Sequence, residues 1–286
     1  MLNNIRFKQV IIIVAMLMLV GFLFTREIKG LVEPKQETQE MPAAEESKTA
    51  PELNLLEVSN TAKNLISNAS TKEISIIESD YLKASGIEKT KKAAVLAQKW
   101  NDLEQSIPSA MYLDIVATSE PSSTNWLAAG DRYLKAFDNT PEDNEIRNTL
   151  LQKANVSFKN SLALDSSLTD AKTGLGVTIV NGAGAPMEGI ALLMDVVKKD
   201  PKNLKANMNL GLFAIKSGQF DKAIIRFNDV IKNIGATPEA YFYLATAYES
   251  LNKKNEAIDA YLNSRKLTAN PSFLKFLDNK IAELKK

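Results

Sequence analysis

Apolar and small residues recur along the second half of this chain with a period of 34 or 35 residues. Leu210 and Leu244, Gly211 and Ala245, Ala214 and Tyr248, Ala223 and Ala257, and Phe227 and Tyr261 each stand 34 apart. A fixed period of this length predicts a stacked array of helical hairpins. Small residues such as Gly211, Ala223, Ala245 and Ala257 suit the points where two helices cross, because a large side chain there holds the backbones apart. Phe227 and Tyr261 are placed to fill the space between one hairpin and the next. Each hairpin leaves an apolar face uncovered until a neighbour stacks on it, so about three repeats are needed for stability. The last repeat needs a lid. Residues 272–286 supply a candidate capping helix, with Phe273, Phe276, Leu277, Ile281 and Leu284 at three- and four-residue steps and charges between.

Four copies can be aligned. The first carries Trp126, Ala129, Gly130 and Tyr133, then Ala154, Phe158 and Ser166. The second has Lys172, Leu175, Gly176 and Ile179, then Gly189, Leu193 and Pro201. The third reads Asn207, Leu210, Gly211, Ala214, Ala223, Phe227 and Gly235. The fourth reads Tyr241, Leu244, Ala245, Tyr248, Ala257, Tyr261 and Ala269. This order of residues resembles the tetratricopeptide repeat, W-x2-L-G-x2-Y, then A-x3-F, then P. By layout the chain also resembles bacterial membrane-anchored members of that family. The resemblance covers about 124–269 and implies an all-α fold, an α-solenoid of helical hairpins. The expected repeats are 122–167, 168–201, 202–235 and 236–271, followed by the cap at 272–286.

Two copies are irregular. In the first, Trp126 and Ala154 lie 28 residues apart, against 16 between Asn207 and Ala223. The excess falls around 138–145, where Pro141 and several acids predict a longer polar connection. In the second, Asn181-Gly182-Ala183-Gly184-Ala185-Pro186 stands where two helices should turn. A phosphate loop would need a following Gly-Lys-Ser/Thr and a preceding buried strand, and neither is present. The expectation is a widened hairpin turn.

Residues 52–121 are helical by pattern but show no repeat signature. Leu55, Leu56, Val58, Ala62, Leu65 and Ile66 make one stripe; Ile74, Ile76, Ile77, Tyr81 and Leu82 make a second, with a helix cap expected at Ser70 or Thr71 and Glu73 close behind. Ala93, Leu96, Ala97, Trp100 and Leu103 make a third, and 111–117 a short fourth. Two degenerate hairpins stacked on the first clear repeat account for all four stripes. A separate helical dimerisation element does so too. Short pieces and turn signals at Ser85-Gly86 and Pro108 favour the hairpins.

Ahead of this region, 10–24 are fifteen apolar residues without a charge. As a helix they span roughly 22 Å, and flanking residues bring the span near a hydrocarbon core of about 30 Å, with Arg6 and Lys8 extending toward the interface. A cleaved signal peptide is the alternative, but Phe22-Leu23-Phe24-Thr25-Arg26 lacks a small-x-small site. The expectation is a short tail (1–9), an uncleaved transmembrane helix (10–25) and a disordered linker (26–51), whose 34–51 stretch of Glu, Gln, Ala and Pro has almost nothing to bury. Arg6, Lys8 and the amino terminus precede the segment and Arg26 and Lys29 follow it, so the positive-inside count leans slightly toward repeats outside the cytoplasm. This corresponds to a single-pass protein of the bacterial inner membrane, with its repeats in the periplasm.

Composition narrows the chemistry. Lysine plus arginine number 35 and aspartate plus glutamate 34, so no global charge argues for nucleic acid. Histidine and cysteine are absent, which removes the commonest general base, cysteine nucleophiles, the usual zinc ligand sets and disulfides. No enzyme activity, catalytic residue, metal or cofactor is expected.

In the family that this chain resembles, the first helix of each hairpin lines a concave groove. Carried over by position, the resemblance places Asp170, Thr173, Val177 and Asn181 of the second copy in that groove. From the third it places Lys205, Met208, Asn209, Leu212 and Lys216, and from the fourth Glu239, Phe242, Thr246 and Glu249. The first copy would offer Leu127, Asp131, Leu134 and Lys135. One branch of the family grips a terminal carboxylate with Lys, Asn and Arg, and this chain does not reproduce that set. An apolar groove with lysines suits an extended or helical protein segment with apolar anchors. The same apolar residues also suit plain packing. Two functions are therefore expected. One is a membrane-tethered adaptor that holds a protein or peptide partner, accessory to envelope assembly or secretion. The other is a self-associating scaffold, a homo-oligomer whose groove is filled by its own chain or a second copy.

Overall fold

A computed structural model describes residues 52–286. The expected tail, transmembrane helix and linker of 1–51 lie outside the described residues. Among the described residues, no helix is long and apolar enough to cross a membrane.

These residues form thirteen α-helices: α1 (Leu55–Lys63), α2 (Asn68–Lys83), α3 (Gly86–Asp102), α4 (Ser106–Ser119), α5 (Ser123–Asn139), α6 (Arg147–Leu164), α7 (Thr169–Thr178), α8 (Pro186–Lys199), α9 (Leu204–Lys216), α10 (Phe220–Asp229), α11 (Pro238–Ser250), α12 (Lys254–Leu267) and α13 (Pro271–Leu284). Each helix from α2 onward packs on its successor, and the first helices of the hairpins also touch in the order α5, α7, α9, α11. This is the stacking that hairpins with one uncovered face require.

Local chemistry starts these first helices. Ser122, Asn203, Thr237 and Asn270 each accept a backbone N–H three residues on, at 2.9–3.1 Å, capping α5, α9, α11 and α13. Pro238 and Pro271 follow their caps directly, where a missing N–H costs nothing. In α2, Ser67 takes the cap instead of Ser70 or Thr71, its Oγ accepting the Ser70 N–H at 3.1 Å. The helix consequently begins earlier than the sequence pattern implied.

The knobs and small residues meet as the period requires. Phe158, Leu193, Phe227 and Tyr261 are all buried. A Cβ on Gly211 would lie 2.6 Å from the Phe227 ring, and one on Gly130 would lie 2.8 Å from Phe158. Gly174, in the next hairpin, also faces Phe158 without room for a Cβ. One ring thus fills its own hairpin and the gap to its neighbour.

A further repeat is hidden in α3 and α4. Hairpin turns in repeats three and four place Gly218 (φ 72°) and Asn252 (φ 57°) in the left-handed region, and Glu104 does the same between α3 and α4 at φ 59°. In each turn the next N–H closes on a carbonyl five residues back: Gln105 on Trp100 (2.9 Å), Gln219 on Ala214 (2.8 Å) and Lys253 on Tyr248 (3.0 Å). Aligned on that turn, Leu96, Ala97 and Trp100 take the positions of Leu210, Gly211 and Ala214, and Ser109 takes that of Ala223. Ser109 is fully buried and donates to the Ala97 carbonyl at 2.8 Å, where a larger residue would part the helices. The absence of a repeat signature before 122 is thereby corrected for this hairpin. A serine in the alanine position and a glutamate in the left-handed turn position had concealed it.

The irregular segments fall in turns. After α7, a π-helical turn Ile179–Ala183 carries Gly182 at φ 125° and widens the connection to α8. The long connection runs from Thr140 to Ile146 and is held by Arg147, whose guanidinium donates to the Phe137 carbonyl at 2.6 Å and to that of Thr140 and lies 3.9 Å from the Phe137 ring centre.

Candidate functional site

The first helices of successive hairpins present one shared inner face. Lys205 on α9 reaches past α7 to Asp131 on α5, with Nζ 2.7 Å from Oδ1. Below this pair, α7 offers little bulk. Thr173 is fully buried and donates to the Thr169 carbonyl at 2.9 Å, and Val177 is 6% exposed. These two residues, expected on the groove surface, are instead covered by their own chain, where α7 packs between α5 and α9. Further along, the Lys216 ammonium donates to Asn181 Oδ1 at 3.0 Å, and the Asn181 amide donates to the Val177 carbonyl at 2.9 Å. The centre of the inner face is thus occupied by the chain's own polar side chains. Asn209 also turns inward, donating to the Lys205 carbonyl at 2.8 Å. Asp170 and Glu239 are exposed and make no ion pair among the described residues.

Asp138, in the last turn of α5, belongs to the same surface although the sequence pattern assigned it to a loop. Although the residue is exposed, neighbouring protein atoms partly desolvate its carboxyl and raise its pKa, against the opposite pull of Lys216 and Arg147.

The C-terminal end of the inner face is different. Phe242 on α11 is the centre of an aromatic group, with ring centroids 5.1 Å from Tyr243, 5.7 Å from Phe273, 5.9 Å from Tyr261 and 5.9 Å from Phe276. Met208 and Leu212 of α9 are half-buried in the same cluster. Beside it lies a cavity of about 400 Å³ lined by Phe242, Thr246, Glu249, Ser250, Tyr261 and Lys280. Glu249 holds its polar wall, accepting from the Tyr261 hydroxyl at 2.7 Å and the Lys280 ammonium at 3.2 Å. Thr246 donates to the Phe242 carbonyl at 3.1 Å. Burial and the bond to Glu249 push the Tyr261 phenol well up from its usual range, so it stays a neutral donor.

The structure therefore brings together Phe242, Thr246 and Glu249 with Met208 and Leu212 beside them, and ties Lys205, Lys216 and Asn181 into bridges. Tyr261 and Lys280 were not among the expected site residues. A tyrosine where two other copies carry phenylalanine was the available signal for the first, since a buried hydroxyl needs a partner. Lys280 belongs to the cap helix, so the repeat alignment could not reach it. Among the described residues, no group of three or more carboxylates could hold a metal ion.

The tetratricopeptide-repeat family's sequence model matches residues 239–264, which is α11 with most of α12. Among solved structures, the thermophilic tetratricopeptide-repeat protein TTC0263 of Thermus thermophilus is similar, with a TM-score of 0.54 at 16% identity over 68% of this chain and 98% of that one. PilW, described as a widely conserved type IV pilus biogenesis factor, is similar with a TM-score of 0.53 at 19% identity over 68% of this chain and 85% of its own. No curated protein matches the sequence. At these identities the structural likeness is one of fold. The chain thus carries the tetratricopeptide-repeat motif in its last hairpin and shares the fold of tetratricopeptide-repeat structures along its stack.

Proposed function

We propose that this protein is a non-enzymatic adaptor, tethered to the bacterial inner membrane by 10–25, that binds a segment of a protein partner at the C-terminal end of its inner face. The observation that carries this reading is the cavity beside Phe242, which combines an aromatic floor with the Glu249–Lys280 pair on one wall. Such a surface takes an apolar anchor and offers hydrogen bonds to the backbone that flanks it. The fifteen uncharged apolar residues of 10–24 support the tether, and the repeats are placed on the periplasmic side with Arg6 and Lys8 toward the cytoplasm. The role is that of an accessory subunit in envelope assembly or secretion, as the resemblance to membrane-anchored relatives implies.

Affinity capture from solubilised membranes tests the reading. Met208→Glu, Phe242→Glu and the milder Thr246→Arg should each lose the same partner band, with Thr246→Arg keeping wild-type helicity. Retention of every partner by a folded Thr246→Arg protein contradicts the proposal.

The bridges Lys205–Asp131 and Lys216–Asn181 favour a second reading for the middle of the face, where the groove is filled by its own chain. A scaffold built on self-association would extend that filling to a second copy. Sedimentation of the full chain in detergent separates the two: a dimer dissociated by Thr246→Arg supports self-association, and a monomer supports the adaptor.

A further inference from the structure

A second cavity, of about 400 Å³, lies outside the inner face, between α1, the turn joining α3 to α4, and the 140–146 connection. Its floor includes Val58, Ile107, Pro108 and Ile146, and Leu65, 71% exposed, stands on its lip. An apolar space of roughly 150 Å³ is enough for a benzene-sized group, so this one has room for two large side chains. It also falls within the roughly 300–1,000 Å³ of ordinary ligand clefts.

The walls are preformed. Asn54 caps α1 through N–H bonds from Leu56 (2.9 Å) and Glu57 (3.2 Å). The left-handed Glu104 sits in the hydrogen-bonded turn before α4, and Arg147 pins the 140–146 connection to the end of α5. None of these features follows from the repeat period except the turn, so stacking alone does not require the cavity.

Charge indicates the occupant. Three carboxylates, Glu52, Glu57 and Glu104, are among the lining residues, and no lysine or arginine is. All three are exposed, and none enters an ion pair among the described residues. An apolar floor with uncompensated negative charge on its walls favours an apolar anchor flanked by cations over one flanked by acids.

We propose that this cleft is a second protein-binding site, which takes a partner segment carrying one or two large apolar side chains flanked by lysine or arginine. It is independent of the inner face, so the chain can hold two partners, or two parts of one, at once.

Fluorescence anisotropy on the full chain in detergent tests it with two labelled probes, the peptides Arg-Lys-Leu-Phe-Lys-Arg and Glu-Asp-Leu-Phe-Asp-Glu. The basic probe should bind saturably, at least about tenfold more tightly than the acidic one. Glu57→Lys with Glu104→Lys should weaken it about tenfold, given a few-fold for each exposed charge pair. Leu65→Arg should weaken it several-fold, and Thr246→Arg should leave it unchanged; circular dichroism verifies that each variant is folded. Equal affinity for both probes, no binding of either at about 1 mM probe, or indifference to the folded cleft variants overturns the proposal. So does basic-probe binding that appears only after Leu31 and Val32 are replaced by serine, because the occupant is then the chain's own 29–35 segment.

Discussion

The Lys205 ammonium on α9 lies 2.7 Å from the Asp131 carboxylate on α5, so two helices that are not neighbours in the stack are joined over the one between them. The pair spans 74 positions of sequence. The bridge sets polar side chains of this chain across the middle of the inner face, whereas the aromatic cavity lies at the end built by α11 and α13.

Both partners are about two-fifths exposed (41% and 42%), so the pair should contribute little stability. A double-mutant cycle of Lys205→Ala and Asp131→Ala by urea denaturation should give a coupling of about 0.2–1 kcal/mol that shrinks with added salt. A coupling above about 2 kcal/mol, beyond the range of exposed pairs, would mean that the bridge holds the solenoid together.

Gly211 and Gly235 should respond oppositely to alanine. At Gly211 the new Cβ would lie 2.6 Å from the Phe227 ring, and overpacking of this kind costs about 1–3 kcal/mol. Gly235 has extended backbone (φ 171°) and nothing within 4 Å of a Cβ. Gly235→Ala should therefore be neutral or stabilising by up to about 1 kcal/mol, through the lower entropy of the unfolded chain. Thermal melts of the two variants read the difference directly.

Glu78 should be the residue that holds α1 to the stack. Its buried carboxylate accepts from Ser59 and Lys63 of α1 and, at 3.3 Å, from the Tyr112 hydroxyl of α4. Removing it leaves an ammonium and two hydroxyls without their acceptor, and breaking such a pair costs about 3–5 kcal/mol. Hydrogen exchange of Glu78→Ala should show α1 losing protection before α5–α13; uniform loss along the chain would contradict this.

Asp138 should make stability depend on pH. Its folded pKa is raised by lost hydration, so the folded state binds the proton more tightly than the unfolded one. The favourable contribution is present below the usual aspartate value of 3.8 and disappears as pH rises through the raised value. Asp138→Asn should thus slightly stabilise the protein at neutral pH and remove that part of the slope, which lies between 3.8 and the raised value; solvent at this exposed residue keeps the effect small. Urea titrations at a series of pH values test both statements, and an Asn variant less stable than wild type at neutral pH refutes them.

The parts of the fold that a fixed spacing controls were legible in the sequence. Phe227 and Tyr261 stand one period apart, and each is the buried knob the pattern implied. The hairpin at α3–α4 was not legible, because Ser109 and Glu104 stand where repeats three and four have alanine and glycine or asparagine; the backbone conformation at Glu104 and the hydrogen bond that closes its turn reveal the kinship. Site residues divided in the same way. Phe242 and Glu249 could be placed by helix position alone, whereas the burial of Thr173 and Val177 depends on how closely the neighbouring helices pack on α7. That distance is a tertiary quantity which no spacing within α7 encodes. Lys280 reaches Glu249 from a helix beyond the repeats, and no alignment of repeats could have paired them.

Site-specific photocrosslinking in intact cells tests the central claim most directly. A photoreactive residue at Ser250, an exposed position lining the C-terminal cavity, should form a discrete adduct with a protein partner, and one at Lys159 on α6 should not. Introducing Thr246→Arg should abolish the Ser250 adduct while leaving expression and helicity unchanged. Adducts of equal yield from both positions, or none from Ser250, would contradict a binding site at the end of the inner face.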